Sequence, residues 1–177
     1  AFGARVGLSD VAYEGISDIT ESDILFAQRF EHTIKLLAIA EQNQLSIGVR
    51  VHPVMLPDAH PLAAVRDSFN AVFVEGEAVG DLMLYGQGAG GDPTASAVLG
   101  DIIAAANNLT RNVFNGLGNL SEVAVQSTEE LETAYYINLE VIDEPGVLSL
   151  VAAVFGECGV SIRSMAQEGL GSEARLV

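Results

Sequence analysis

Between positions 85 and 101 the chain reads YGQGAGGDPTASAVLGD, a strand-like run that passes through four closely spaced glycines into apolar residues at helical intervals. A strand that ends in a glycine turn and opens a helix gathers unpaired backbone N–H groups and the positive end of the helix dipole at one spot, where an anion is stabilised. Gly88 and Gly90 put no side chain in a ligand's way there. The chemistry on offer is backbone recognition of a phosphate or similar group. Two specific forms of it do not fit. The principal turn of a dinucleotide-binding fold needs a second parallel strand after the helix and an acidic residue about 20 positions on to hold a ribose, whereas this helix runs into polar NNLTRN and a glycine-containing connection. The phosphate loop of nucleoside triphosphatases needs a lysine after its glycines, and none follows here. A structural turn, a helper contact to a ligand bound mostly elsewhere, and an independent phosphate site all remain open on pattern alone.

A second turn, DEPGVL, delivers the N–H groups of Gly146, Val147 and Leu148 to the start of another helix, with Asp143 beside them. Such a turn suits an amino-acid ligand, whose carboxylate accepts from the N–H groups while the aspartate holds its ammonium. The alternative is an ordinary strand-to-helix turn. His32, His52 and His60 make no ligand set, because two of them precede prolines and no carboxylate or thiolate pattern completes a coordination shell. No metal is expected. Cys158 falls on the apolar stripe of its helix and reads as a small buried hydrophobe.

The elements that must position these groups follow from periodicity. SDITESDILFAQRFEHTIKLLAIAEQ carries Thr20 and Asp23 at capping spacing, then apolar residues whose phase drifts near FEHT, which predicts a short helix, a break and a strand through TIKLLAIAE. LSIGVRVHP alternates with period two and is expected to end as a strand at Pro53, where Pro53, Pro57 and Pro61 begin a rigid loop. Segments 71–75 and 81–85 read as a hairpin turning between Gly76 and Gly80. From Thr94, placed to cap, Ala95, Val98, Leu99, Ile102, Ile103 and Ala106 form one helical stripe. Residues 111–132 read as a linker between domains. Beyond it, AYYINLEVID predicts a strand, Val147 to Cys158 a helix stopped by Gly159, and VSIRSMAQ a second strand.

The 177 residues are enough for one ordinary domain or two small ones, and 49% of them are hydrophobic. A formal net charge of -16, with Lys35 the only lysine, argues against nucleic acid and anionic membrane surfaces as partners. No apolar run of about 18 residues marks a membrane span, and no secretory pattern opens the chain. One cysteine fits a reducing cytoplasm. The opening AFGARVGL and the closing SEARLV, a strand just beginning, lead us to expect a piece of a longer protein.

Longer stretches carry a family resemblance. IKLLAIAE, VRVHPVMLPDAHPLAAV and FNAVFVEGEAVGDLMLYGQGAGGDPTASAVLGD, in that order over residues 1 to about 110, resemble the C-terminal half of the catalytic core of homoserine dehydrogenase. The tail from Tyr136, with VIDEPGVLSLVAAVFGECGVSIRSMAQ, resembles an ACT domain, a small amino-acid-sensing module. The fold implied is α/β (α+β): a mixed-sheet substrate-binding and dimerisation domain over 1–110, a linker over 111–132, and a partial ferredoxin-like ACT domain over 133–177. The activity implied is NAD(P)-dependent interconversion of L-homoserine and L-aspartate 4-semialdehyde in threonine, methionine and isoleucine biosynthesis, by a cytoplasmic homo-oligomer, a dimer or tetramer. By the same resemblance the nucleotide domain and the catalytic acidic residue and lysine lie upstream, so Lys35 is not promoted to catalysis and no catalytic residue is assigned here. Gly88, Ala89 and Gly90 would approach NADP or NAD from the substrate-domain side, a lid-side contact. Asp143, Gly146, Val147 and Leu148 would hold an effector, L-threonine. Asp67, in VRDSFNAV, stands where many relatives carry glycine. The rival reading is a non-catalytic amino-acid-sensing regulatory protein.

Overall fold

A computed structural model describes residues 2–43, 46–113, 118–127, 131–169 and 172–177. In chain order its elements are β1 (Ala4–Arg5), β2 (Ala12–Tyr13), α1 (Glu21–Arg29), β3 (His32–Gln42), β4 (Ser46–Pro57), β5 (Phe69–Gly76), β6 (Gly80–Gln87) and α2 (Gly91–Thr110). There follow β7 (Ser121–Glu122), β8 (Ala124–Val125), β9 (Leu139–Ile142), α3 (Val147–Glu157), β10 (Gln167–Gly169) and β11 (Glu173–Leu176), with short 3-10 turns at Leu8–Asp10 and Pro61–Ala64. The fold is mixed α/β, with parallel and antiparallel pairing. It divides into two compact units, Ala1–Ile16 with Ile34–Leu131, and Ser17–Thr33 with Glu132–Val177. The second unit thus recruits α1 from early in the chain, which a division at 111–132 does not foresee.

In the first unit β4 lies between β2 and β3 and also pairs with β8. Strand β4 runs on to Pro57, past the expected stop at Pro53. The reason is where each proline's missing N–H falls. Val51 turns its carbonyl to β2, accepting from the Glu14 N–H at 2.8 Å, and Val51 is the last β4 residue paired with β2. Side-to-side alternation sends Pro53 and Pro57 to that same edge beyond the pairing, so neither breaks a ladder bond. The rigid loop is therefore shorter than expected and contains the 3-10 turn Pro61–Ala64. The linker expectation also changes, since β7 pairs in parallel with β1 and β8 in parallel with β4. The two-residue alternation in SEVAVQ is too brief to stand out among polar and glycine residues; positions 114–117 and 128–130 of that segment lie outside the described residues.

Strands β5 and β6 form the expected hairpin, in antiparallel register from Phe69↔Gln87 to Gly76↔Gly80. Phe69 stacks on Tyr85 with ring centroids 4.8 Å apart, fixing one face, while Val72, Val74, Leu82 and Leu84 share the other and are exposed. Helix α2 begins at Gly91 with Gly90 as its N-cap, four residues before the expected Thr94 cap. Thr94 instead donates its N–H to the Gly90 carbonyl at 3.2 Å, and Pro93 sits in the first turn, where no N–H is required. None of the α2 residues is buried, and its stripe of Val98, Leu99, Ile102 and Ile103 faces solvent.

In the second unit β10, β11 and β9 form an antiparallel sheet in that order. Ala174 and Leu176 are buried on one of its faces. The strand expected over VSIRSMAQ starts only at Gln167, with Ala166 exchanging backbone bonds of 2.7 and 2.9 Å with Val177. Alternation in 160–165 meets no partner edge among the described residues, and a strand without one does not form. Cys158 is exposed, because the stripe it belongs to, with Leu150 and Val154, is itself exposed.

Candidate functional site

The glycine turn is built on the end of β6. Gly88 N–H donates to the Ser68 carbonyl at 3.0 Å, extending the hairpin ladder by one bond. That donor is therefore unavailable to a ligand, and Gly88 contributes closeness rather than a hydrogen bond. Gly90 adopts φ 125 and ψ 152, a conformation essentially restricted to glycine, and a Cβ there would also press on Pro93 Cδ at 3.2 Å. Gly88, Ala89 and Gly90 are all exposed, so the structure brings the three cofactor-assigned residues together on one open turn. Donors for a ligand remain at the start of α2, where Gly91 and Asp92 have no carbonyl four residues back inside the helix. Asp92, acidic in that first turn, repels a phosphate resting on the helix end.

A cavity of about 270 Å3 is lined by Lys35, Leu37, Val65, Phe69 and Asn70 among others, with none of Gly88, Ala89 or Gly90 in its lining. The Lys35 ammonium donates to the Val65 carbonyl. Phe69 N–H donates to the Arg66 carbonyl at 3.2 Å, closing a turn in which Asp67 takes a left-handed φ of 56. This explains the glycine of the resemblance: aspartate tolerates the conformation at some cost.

The second turn has a more committed geometry than its sequence indicates. Asp143 Oδ1 accepts from Gln167 Nε2 at 3.4 Å, and Asp143 N–H donates to the Ser172 carbonyl at 3.2 Å. Gly146 is left-handed at φ 98 and caps α3, and Val147 N–H is directed at the Glu144 carbonyl at 3.4 Å. Gly146, Val147 and Leu148 are contiguous at the start of α3, with the Val147 donor partly engaged already, while the Asp143 carboxylate is turned to Gln167 on β10.

Sequence reasoning missed a third cluster. Asp23, only 6% exposed, accepts at Oδ2 from the Thr20 N–H (2.8 Å) and hydroxyl (2.6 Å), and at Oδ1 from Tyr136 hydroxyl and Asn138 Nδ2, both at 2.8 Å. Burial pushes its carboxyl up, but the Thr20, Asn138 and Tyr136 hydrogen bonds outweigh this and hold it down at about 2, against an ordinary 3.8. Burial first, and then the bond to Asp23 and its charge, push the Tyr136 hydroxyl up, so it stays a donor. Arg175 joins the cluster through Ser22 Oγ (2.6 Å) and Glu140 Oε1 (2.9 Å). The Thr20 and Asp23 spacing announced a helix cap, but partners 113 and 115 residues away give no local signal.

His52 and His60 serve local structure: Arg50 Nε meets His52 Nε2 at 3.2 Å, and His60 Nδ1 accepts from Leu62 N–H at 3.1 Å. Among the described residues no group of three or more His, Cys, Asp or Glu is placed to hold a metal ion, and no helix is long and apolar enough to cross a membrane.

A mixed-sheet α/β unit with a bare glycine turn at a strand-to-helix junction, followed by a small antiparallel α/β unit, is the class that fold and turn define. The comparisons make it specific. The homoserine dehydrogenase family model matches residues 1–103. Homoserine dehydrogenase of Corynebacterium glutamicum is 47% identical over 100% of this chain and 41% of its own length, and that of Mycobacterium tuberculosis 46% identical over 98% and 41%. The crystal structure of a homoserine dehydrogenase from Thiobacillus denitrificans superposes with a TM-score of 0.89 at 33% identity, covering 99% of this chain and 41% of that one. The chain belongs to the homoserine dehydrogenase family, and it spans about 41% of the length of these relatives.

Proposed function

We propose that this chain is the substrate-domain and regulatory part of an NAD(P)-dependent homoserine dehydrogenase, interconverting L-homoserine and L-aspartate 4-semialdehyde in the cytoplasm. The observation that carries the reading is the open turn at Gly88, Ala89 and Gly90, which lies inside the stretch matched by the family model. A bound nicotinamide ring would supply the acceptor for the hydride leaving the alcohol carbon. The residues present fit a contact from its open side: Gly90 backbone is accessible, and Asp92 disfavours the phosphates, leaving those to a domain elsewhere in the polypeptide. The exposed stripe of α2 and the outer hairpin face of Val72, Val74, Leu82 and Leu84 are apolar surfaces of the kind that another domain or a second subunit covers. This supports both the upstream nucleotide domain and a homo-oligomer.

The second unit is read as the ACT part of the enzyme, supported by its strand–helix–strand–strand order and by the turn at Asp143 and Gly146. L-Threonine is its proposed effector. One set of steady-state assays on the complete gene product tests both readings. Homoserine-dependent reduction of NADP or NAD is expected, slowed by saturating threonine. Absence of turnover would favour the amino-acid-sensing regulatory protein, and turnover indifferent to threonine would remove the effector role from Asp143, Gly146, Val147 and Leu148.

A further inference from the structure

The glycine turn is shaped by a side chain outside it. A Cβ at residue 88 would lie 1.6 Å from Asn70 Nδ2 and 2.7 Å from its Cγ, so the Asn70 amide already occupies the volume that any side chain at 88 would need. Asn70 stands on β5 opposite Gly86, and Ser68 precedes that strand. Gly88 N–H and Asn70 Nδ2 both point to the Ser68 carbonyl, at 3.0 and 3.5 Å. The turn is thus held from two directions: a carbonyl fixes the N–H of Gly88 while an amide lies against its Cα. A side chain at 88 would have to displace the Asn70 amide, whereas glycine at 90 is required by the backbone conformation, so the two positions favour glycine for different reasons.

We propose that Asn70 is a positioning residue, acting through Gly88 to set the height at which residues 88–90 meet the cofactor. The proposal rests on the reading that this turn is a cofactor contact. Lys35 supports the same segment from upstream, since its ammonium ties down Val65 just before the turn that leads into β5.

The test is a set of substitutions in the complete gene product, with Gly90→Val as the control on the underlying reading. Asn70→Ala should raise the KM for the nicotinamide cofactor about tenfold while kcat and Tm stay close to wild type, because a displaced contact weakens binding without touching the chemistry. Asn70→Ser, truncated less, should fall between, and it serves as the readable variant if the alanine protein does not accumulate. Gly88→Ala should raise KM similarly, since its methyl drives the amide away. In Asn70→Ala/Gly88→Ala that methyl takes the volume the amide leaves, so KM should be no higher than in either single variant. Multiplying penalties would mean that the two residues act independently and would overturn the proposal. So would an unchanged KM in both Asn70 variants alongside a raised KM in Gly90→Val, which leaves the turn's cofactor contact standing. An Asn70→Ala protein with lowered Tm and normal KM would reduce the residue to a structural role and equally overturn it. Unchanged KM in Gly90→Val would remove the cofactor contact and the proposal with it.

Discussion

At the glycine turn, shape comes from backbone that only glycine adopts at position 90 and from the Asn70 amide lying over position 88, and the surface so made is left open. At Asp23, shape comes from one buried carboxylate drawing in Thr20, Tyr136 and Asn138. The first arrangement leaves its surface open; in the second, both Asp23 oxygens are met by donors of the same chain. A perturbed carboxyl is often taken as a mark of function, yet the lowered Asp23 carboxyl is held by hydrogen bonds from its own chain that tie the fold together. It joins α1 to the segment ahead of β9, and so makes a single unit of two stretches far apart in sequence.

The sharpest way to break this comparison is Asp23→Asn. The amide would turn donors toward Tyr136, Asn138 or Thr20 and leave buried groups unsatisfied, destabilising the protein by about 3 kcal/mol. Cofactor KM should stay unchanged, and a raised KM with an unshifted Tm would reverse the roles of the two regions. Acid melts sharpen the point. With a folded value of about 2 below the ordinary 3.8, the contribution of Asp23 is complete above pH 3.8 and is lost as pH falls through about 2. Roughly 2 kcal/mol should disappear across that window in the wild-type protein and not in Asp23→Asn, as denaturant titrations at each pH would show. The smallest effect is expected at Asp67. Asp67→Gly relieves the left-handed strain but loosens the unfolded chain, for a net gain of about 0.5 kcal/mol. Chemical denaturation that finds a loss would mean that the Asp67 side chain does more than fill a turn.

Legibility in the sequence followed the range of the interactions. The α1 cap, the β5 and β6 hairpin and the opening of α3 at Gly146 were readable because neighbours within a few residues decide them. The continuation of β4 through Pro53 was not, since it depends on which edge β2 leaves unpaired. The strand expected over VSIRSMAQ failed for the complementary reason, having the pattern without a partner. At the candidate site the glycines were visible and their support was not: Asn70 lies 18 positions from Gly88 on the other strand of the hairpin, and its fit shows only when both backbones are in place. The Cys158 expectation assumed that an apolar stripe is covered, which for α3 it is not.

Contact between the glycine turn and the cofactor is tested most directly by amide hydrogen–deuterium exchange on the complete gene product, with and without saturating NADP or NAD. Slowed exchange at residues 89–92 on cofactor addition is the predicted result. Unaltered exchange there, with protection appearing elsewhere in the polypeptide, would show that the cofactor binds without meeting this turn.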